Sequence, residues 1–356
     1  MRKLIGVLIL ACVCAAVAGA LLRAAGLPLW AYGYITPPAS PVDYSSKCTG
    51  ARPFDCARGG PPTDAGTIRH LPGSDGAFTL AQIHNDYGPA DWYPGDHPTM
   101  PDIVAHGQEA IGLRACGLCH YPNGQGKAEN GPVAGLPVEY FMRTMADFRN
   151  GRRKSADLNK ANQFEMTAIA RNLTNEETKA AAEYFESIKF RSWVKVLEST
   201  TVPKFAAGAN GLFLQAEGAD ATATEPLWQR LIEMPQKRDD TFLLRNPRSG
   251  FVAYAPVGSI QKGEMLVTTG GATVVNGKIV PGHTKECGVC HGADLRGVAD
   301  VPPIAGRQPS YLVRQLYDMQ QGARNGESTK LMKSVVANLT EEDMVAIAAY
   351  VASREP

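Results

Sequence analysis

The sequence predicts a mainly α protein. Two helical modules stand in tandem, preceded by an N-terminal membrane segment and a loop-rich extension and separated by an irregular, strand-containing segment. Three observations predict this. A stretch of the chain recurs at a fixed offset, the mark of a module used twice. Each copy carries apolar residues at helical spacing. The length of 356 residues leaves room for two cores at roughly 100–200 residues per domain. Composition agrees, since 44% hydrophobic and 20% charged residues describe a globular chain. A net charge of +1 argues against a general nucleic-acid binder, which would be strongly basic. The 36 glycines and 25 prolines predict long loops, and eight cysteines are too few for a disulfide scaffold at this length.

Residues 1–25 are the signal peptide or membrane anchor. Arg2 and Lys3 precede an uncharged run from Leu4 to Leu22 that Arg23 closes. Such a run makes about 28 Å of helix, close to the thickness of a bilayer core. A cleaved signal would end at Ala18-Gly19-Ala20. A retained anchor would keep its basic end in the cytoplasm, with Trp30, Tyr32 and Tyr34 at the outer interface. Lipid attachment at Cys12 is disfavoured, because the apolar run continues past it. Every reading exports the remainder across a membrane, either soluble after cleavage or anchored through residues 4–22. Residues 36–100 form the loop-rich extension. In an oxidising compartment its Cys48 and Cys56 are expected to close a small loop as a disulfide. His70, His84, His97 and His106 have spacings that fit no compact metal motif, and surface or packed roles are expected for them.

The first module covers 101–191 and the second 261–356, with 192–260 between them. Cys116-Gly117-Leu118-Cys119-His120 recurs 171 residues on as Cys287-Gly288-Val289-Cys290-His291. Pro132 and Pro303, Tyr140 and Tyr311, Arg143 and Arg314, Asp147 and Asp318, and Arg153 and Arg324 keep that offset. It then falls to 166, pairing Met166 with Met332 and Asn172-Leu173-Thr174 with Asn338-Leu339-Thr340. Apolar residues at 140, 141, 145 and 148 lie on one helical face. Thr174 followed by Glu177 resembles a capping box, and Thr340 followed by Asp343 a weaker one, each opening an alanine-rich helix (176–188 and 341–353). In the segment between the modules, 250–254 reads as a strand. In the second module Thr273–Val275 and Lys278–Val280 flank Asn276-Gly277, a strong hairpin signal. Gly107 and Gly263 are taken as counterparts, which makes the stretch before Cys287 an insertion.

Cys-x-x-Cys-His is the attachment signature of c-type haem. Residues i and i+3 share a helical face, so two thiols reach the two vinyl groups of one porphyrin and the next imidazole stands under the iron. Two copies in an aligned repeat imply two covalently bound haem c groups. Structural zinc would bring its cysteine pairs within about 15–20 residues, and a redox dithiol would sit in a βαβ context; neither is found. Met166 and Met332 are the expected sixth iron ligands because they occupy matching positions, with Met142, Met145 and Met319 as the fallback. Pro132 and Pro303 each lie twelve residues after the proximal histidine, where a carbonyl is expected to accept the imidazole Nδ1–H. Arg143, Arg153, Arg314 and Arg324 are read either as partners of haem propionates or as solvated surface charges.

At these residues the chain resembles the class I cytochromes c, and more narrowly the dihaem cytochrome c4-type family and its single-haem relatives. The strings that carry the resemblance are CGLCH and CGVCH, AGLPVEYF and AGRQPSYL, the two glycine-arginine turns, and Met166 and Met332 ahead of NLTNEE and NLTEED. It implies covalent links at Cys116, Cys119, Cys287 and Cys290, and axial ligands at His120, Met166, His291 and Met332. It also implies two His/Met haem domains relaying electrons in the periplasm. The chain departs from the family's short linker by about 70 intervening residues (192–260), which argues against the family's close haem-to-haem packing.

The leading expectation is therefore an electron carrier, not an enzyme. It would take single electrons from a quinol-oxidising complex or a periplasmic dehydrogenase and pass them to a terminal acceptor such as an oxidase. A dedicated haem subunit of a membrane dehydrogenase or oxidase is the alternative, with 36–100 and 192–260 as docking surfaces. A dihaem peroxidase or thiosulfate-oxidising enzyme would need an open iron or a cysteine ligand, and no spare cysteine lies near Met166 or Met332.

Overall fold

The structure is a computed structural model that describes residues 66–157, 160–207 and 212–356. The apolar run of residues 4–22, the aromatic residues 30–34 and the Cys48–Cys56 pair lie outside the described residues. Among the described residues no helix is long and apolar enough to cross a membrane.

A small N-terminal unit pairs β1 (Ile68–Arg69) with β2 (Phe78–Thr79), and Thr79 caps the single turn α1 (Leu80–Ile83). The first module follows as α2 (Asp102–Ala105), α3 (Cys116–His120), α4 (Val138–Arg149), α5 (Ala161–Asn172) and α6 (Asn175–Ser187). The second repeats the plan as α8 (Ser259–Thr269), α9 (Gly288–His291), α10 (Pro309–Gln320), α11 (Lys330–Val336) and α12 (Glu341–Ala352). Both predicted caps form. Thr174 and Glu177 exchange hydrogen bonds at the start of α6, and Thr340 and Asp343 do the same at the start of α12. The shorter aspartate still reaches back to the Thr340 N–H at 2.9 Å, so the second box is complete.

Each module has its own core. Ile103, Val104, Leu113, Met145, Ala181 and Phe185 fill the first, with Cys116 and Met166 packed against them. Leu266, Val313, Met319, Met344, Ile347 and Val351 fill the second, with Cys287 and Met332 packed against them. Gly107 and Gly263 are not counterparts. Gly107 turns the chain at φ +64 after the one-turn α2. Gly263 lies inside α8, where a Cβ would run into the Ala346 carbonyl and lie 2.6 Å from the Tyr350 Cβ. It is the contact point of a close α8–α12 crossing. The first module has only four residues of helix in the corresponding place, so the stretch before Cys287 is partly a longer helix and partly a hairpin. That hairpin pairs β10 (Thr273–Val275) with β11 (Lys278–Val280), and Asn276 and Gly277 both take positive φ in its turn.

Residues 194–255 fold as a β-rich unit. Parallel β3 (Val194–Glu198) and β9 (Phe251–Ala255) are joined on the far side of β9 by antiparallel β8 (Ile232–Pro235). Two small antiparallel pairs, β4 (Thr201–Pro203) with β7 (Thr224–Pro226) and β5 (Phe205–Ala207) with β6 (Phe213–Gln215), complete it, along with α7 (Arg238–Phe242). Val202, Phe213, Leu227, Ile232 and Met234 form its core.

The length of this unit does not hold the modules apart. Because β3 and β9 run parallel in register, with Glu198 beside Ala255, the chain re-emerges about one strand length from where it entered. The modules pack directly, with a two-fold pattern that follows the repeat. The Lys154 N–H donates to the Ala323 carbonyl at 2.9 Å, and the Asn325 N–H to the Arg152 carbonyl at 2.8 Å. Arg153 of the first module donates to the Tyr311 hydroxyl of the second at 2.6 Å, and Arg324 of the second to the Tyr140 hydroxyl of the first at 2.9 Å.

Candidate functional site: two haem-binding modules

In each module a single helical turn carries the pentad. On α3 the thiols of Cys116 and Cys119 are one turn apart and unbonded to each other, as are Cys287 and Cys290 at α9. Burial pushes the Cys116 thiol up to about 12, with the neighbouring Cys119 adding to the effect, and burial pushes Cys287 up to about 11. A redox-active dithiol or a zinc thiolate site has the opposite signature, a lowered thiol pKa.

The histidines are set alike. His120 Nδ1 lies 3.0 Å from the Gly131 carbonyl, and His291 Nδ1 lies 2.8 Å from the Pro302 carbonyl. A carbonyl only accepts, so Nδ1 carries the proton and the Nε2 lone pair is left for a metal. Burial lowers the pKa of both imidazoles, which favours the neutral, ligating form. The loop behind each ring is held identically. Gly126 N–H donates to the His120 carbonyl at 2.8 Å, and Gly297 N–H to the His291 carbonyl at 2.7 Å.

The accepting carbonyl is one residue earlier than expected, at Gly131 and Pro302, not at Pro132 and Pro303. Proline forces the residue before it into an extended conformation, which aims that residue's carbonyl at the ring. The carbonyls of Pro132 and Pro303 have another partner. Arg307 donates through Nη1 to Pro132 at 3.0 Å, through Nη2 to Ala134 at 2.9 Å and through Nε to Pro303 at 2.8 Å. Its buried guanidinium, stacked 4.4 Å from the Phe190 ring centroid, ties the two histidine loops together.

Met166 lies on α5 and Met332 on α11, each half-buried against the core that receives the first cysteine of its own module. Met145 and Met319 are buried core residues. The reading of the arginines as solvated charges fails for three of the four. Arg153, Arg314 and Arg324 are buried at the module interface, where Arg314 donates to the Ala128 carbonyl at 2.6 Å. Only Arg143 is substantially exposed, in a 2.6 Å ion pair with Asp300 of the other module. Burial alone would raise the Tyr140 phenol, but Arg324 and Arg153 together hold it below its ordinary value. This concentration of buried positive charge suits the carboxylates of a haem. Unbonded paired thiols, a free imidazole Nε2, a methionine on the same core and buried cations for two acids together fit the group.

The four histidines ahead of the first motif do not converge. His84 bonds the Leu243 carbonyl at 2.8 Å and His97 pairs with Asp91 at 3.2 Å, and no group of three metal-ligating side chains exists among the described residues. Gly131, Pro302, Arg307 and Gln315, whose amide oxygen accepts from both Arg153 and Arg324, were not anticipated. Tyr140 and Tyr311 were signalled by their place in the repeat, whereas Arg307 has Leu136 at its repeat position and left no signal.

Comparison with known proteins agrees with this geometry. The family model for cytochrome c matches residues 104–189 and 274–355. Cytochrome c4 of Pseudomonas aeruginosa is 25% identical over 240 residues, 66% of this chain and 82% of the relative. A thiosulfate dehydrogenase electron acceptor of Stutzerimonas stutzeri is 26% identical over 255 residues, 70% of this chain and 84% of the relative. Cytochrome c-554(548) of Halomonas halodenitrificans is 36% identical over 70 residues, 19% of this chain and 84% of the relative. The chain therefore belongs to the cytochrome c family, as a cytochrome c4-like electron-transfer protein with two tandem domains and two covalently bound haem c groups.

Proposed function

We propose that this protein is a periplasmic electron carrier that passes single electrons between a dehydrogenase or quinol-oxidising donor and a terminal acceptor. The observation that carries the reading is the duplicated histidine setting. In both modules the imidazole is held by a carbonyl eleven residues on, and a methionine shares the core that receives the first cysteine. Cys116 and Cys119 would hold one haem and Cys287 and Cys290 the other, with His120 and Met166, and His291 and Met332, as the side chains that would bind the two irons. A methionine ligand together with histidine would raise the reduction potential and close the iron to substrates, which suits a carrier and not an enzyme. Arg153 and Arg324 supply the positive charge for haem carboxylates at the interface. The similarity to a thiosulfate dehydrogenase electron acceptor supports a periplasmic dehydrogenase as donor.

The test is a pyridine haemochrome assay with intact mass on protein matured with cytochrome c assembly. Two haems per chain, low-spin spectra and no carbon monoxide binding are expected. One haem, or rapid carbon monoxide binding by the unaltered protein, overturns the reading.

A further inference from the structure

The two modules differ most at the edge that carries the thiols. Leu118, between Cys116 and Cys119, is 4% exposed, whereas Val289, between Cys287 and Cys290, is 77% exposed. The asymmetry continues beside the methionines. Glu165, ahead of Met166, is held by Arg114 at 2.6 Å, but its counterpart Leu331, ahead of Met332, is 78% exposed.

Segments outside the repeat close the first edge. From the N-terminal extension, the Asp86 carbonyl accepts the Ala115 N–H at 3.0 Å. From the β-rich unit, Arg245 donates to the Leu118 carbonyl, and the Pro247 carbonyl accepts from Asn123 at 3.1 Å. These two segments are locked to each other. The Trp92 indole donates to the Leu244 carbonyl at 2.7 Å, and Arg248 forks onto Asp96 with its guanidinium 3.8 Å from the Tyr93 ring centroid. Leu80, Ile83, Trp92 and Tyr93, with Leu243 and Leu244 against them, make a packed layer.

We propose that the second module is the port through which this protein exchanges electrons with a partner redox protein. The first module, covered by residues 84–97 and 243–248, fills and empties through the second. This deepens the proposed function and rests on its reading that both modules carry haem. Electron tunnelling falls steeply with distance, so a packed layer over the first edge slows direct exchange there, while the direct module contact keeps the internal route short. The partner presents an apolar face of low charge. Val289 and Leu331 are bare, and the charges near them in sequence almost cancel: Arg296 pairs with Asp294 at 3.7 Å and Lys330 with Glu327 at 2.6 Å, Lys285 adjoins Glu286, and the exposed Lys333 is left as a single positive charge.

The experiment uses the full protein with two haems established by pyridine haemochrome; a count of one refutes the proposed function before the port is tested. Stopped-flow oxidation by ferricyanide is compared in wild type and Val289→Glu, with Leu331→Glu as the second variant should the first fail to mature. The added negative charge at the port slows encounter with the anion by about threefold. If the first haem drains through the second, the whole amplitude slows, or the second half follows a rate independent of ferricyanide concentration. If half of the amplitude stays second order at the wild-type rate, the first haem has its own exit and the proposal falls. Hydrogen exchange gives a readout independent of electron transfer. Amides 117–123 are expected to be protected relative to 288–294, and equal exchange in the two stretches overturns the proposal.

Discussion

A proline beside a carbonyl sets the state of each proximal histidine. Pro132 and Pro303 cannot donate a backbone proton, and their rings extend the chain before them, so the carbonyls of Gly131 and Pro302 face Nδ1. The proposed sixth ligand is the residue whose loss is easiest to read. Met166→Ala and Met332→Ala are each expected to open one iron of two, so carbon monoxide binds half of the haem while haem content is unchanged. Carbon monoxide difference spectra against the haemochrome count check this, and unaltered spectra would assign the ligands elsewhere. Candidate cysteines, histidines and methionines can be named from the sequence because covalent and metal chemistry demands those side chains at set spacings. Main-chain acceptors cannot, since any residue carries a carbonyl; the reading of Pro132 placed the right turn and missed the atom by one peptide.

Among the elements, α12 and its partners show what local pattern reveals and what it leaves out. The Thr340 box and the Asn276-Gly277 turn were legible because each needs only three or four neighbouring residues. The α8–α12 crossing was not, because it joins Gly263 to Ala346 and Tyr350 across the chain. Gly263→Val is expected to cost about 2 kcal/mol, since overpacking at a helix contact forces the backbones apart, and a lowered thermal midpoint measures it. Burial alone would raise the Asp343 carboxyl, but the Thr340 N–H and hydroxyl, Lys262 and His283 bring it down to about 2. Its folded pKa lies below the ordinary 3.8, so the charged cap stabilises α12 above that value and is lost as pH falls toward about 2. Asp343→Asn is expected to flatten stability across this window, a difference that denaturant titrations at pH 4.5 and pH 2.5 would measure. A wild-type slope retained in the variant would reassign the effect.

For the whole molecule, the repeat makes the interface nearly symmetric and one arginine makes it singular. Arg153 with Tyr311 and Arg324 with Tyr140 are the same contact made twice, in positions that the offset of 171 already pairs. Arg307 stands outside that pattern and binds carbonyls of both modules, two from the first and one from the second. The β-rich unit was only partly legible. Its strand at 251–255 was foreseen one residue early, over 250–254, but the parallel partner at 194–198 is remote in sequence, and that pairing is what brings the modules into contact. If Arg307 couples the modules, they melt as one body in the wild type. Arg307→Met keeps the length and the contact with Phe190 while leaving the Pro132, Ala134 and Pro303 carbonyls without their donor. Unsatisfied buried carbonyls cost about 1–3 kcal/mol each before water enters, so a loss of about 3 kcal/mol is expected. Because that loss falls on the contact and not on either core, calorimetry of the two-haem protein is expected to resolve two transitions in place of one. A single transition shifted downward would mean that the reciprocal Arg–Tyr pairs suffice to hold the modules together.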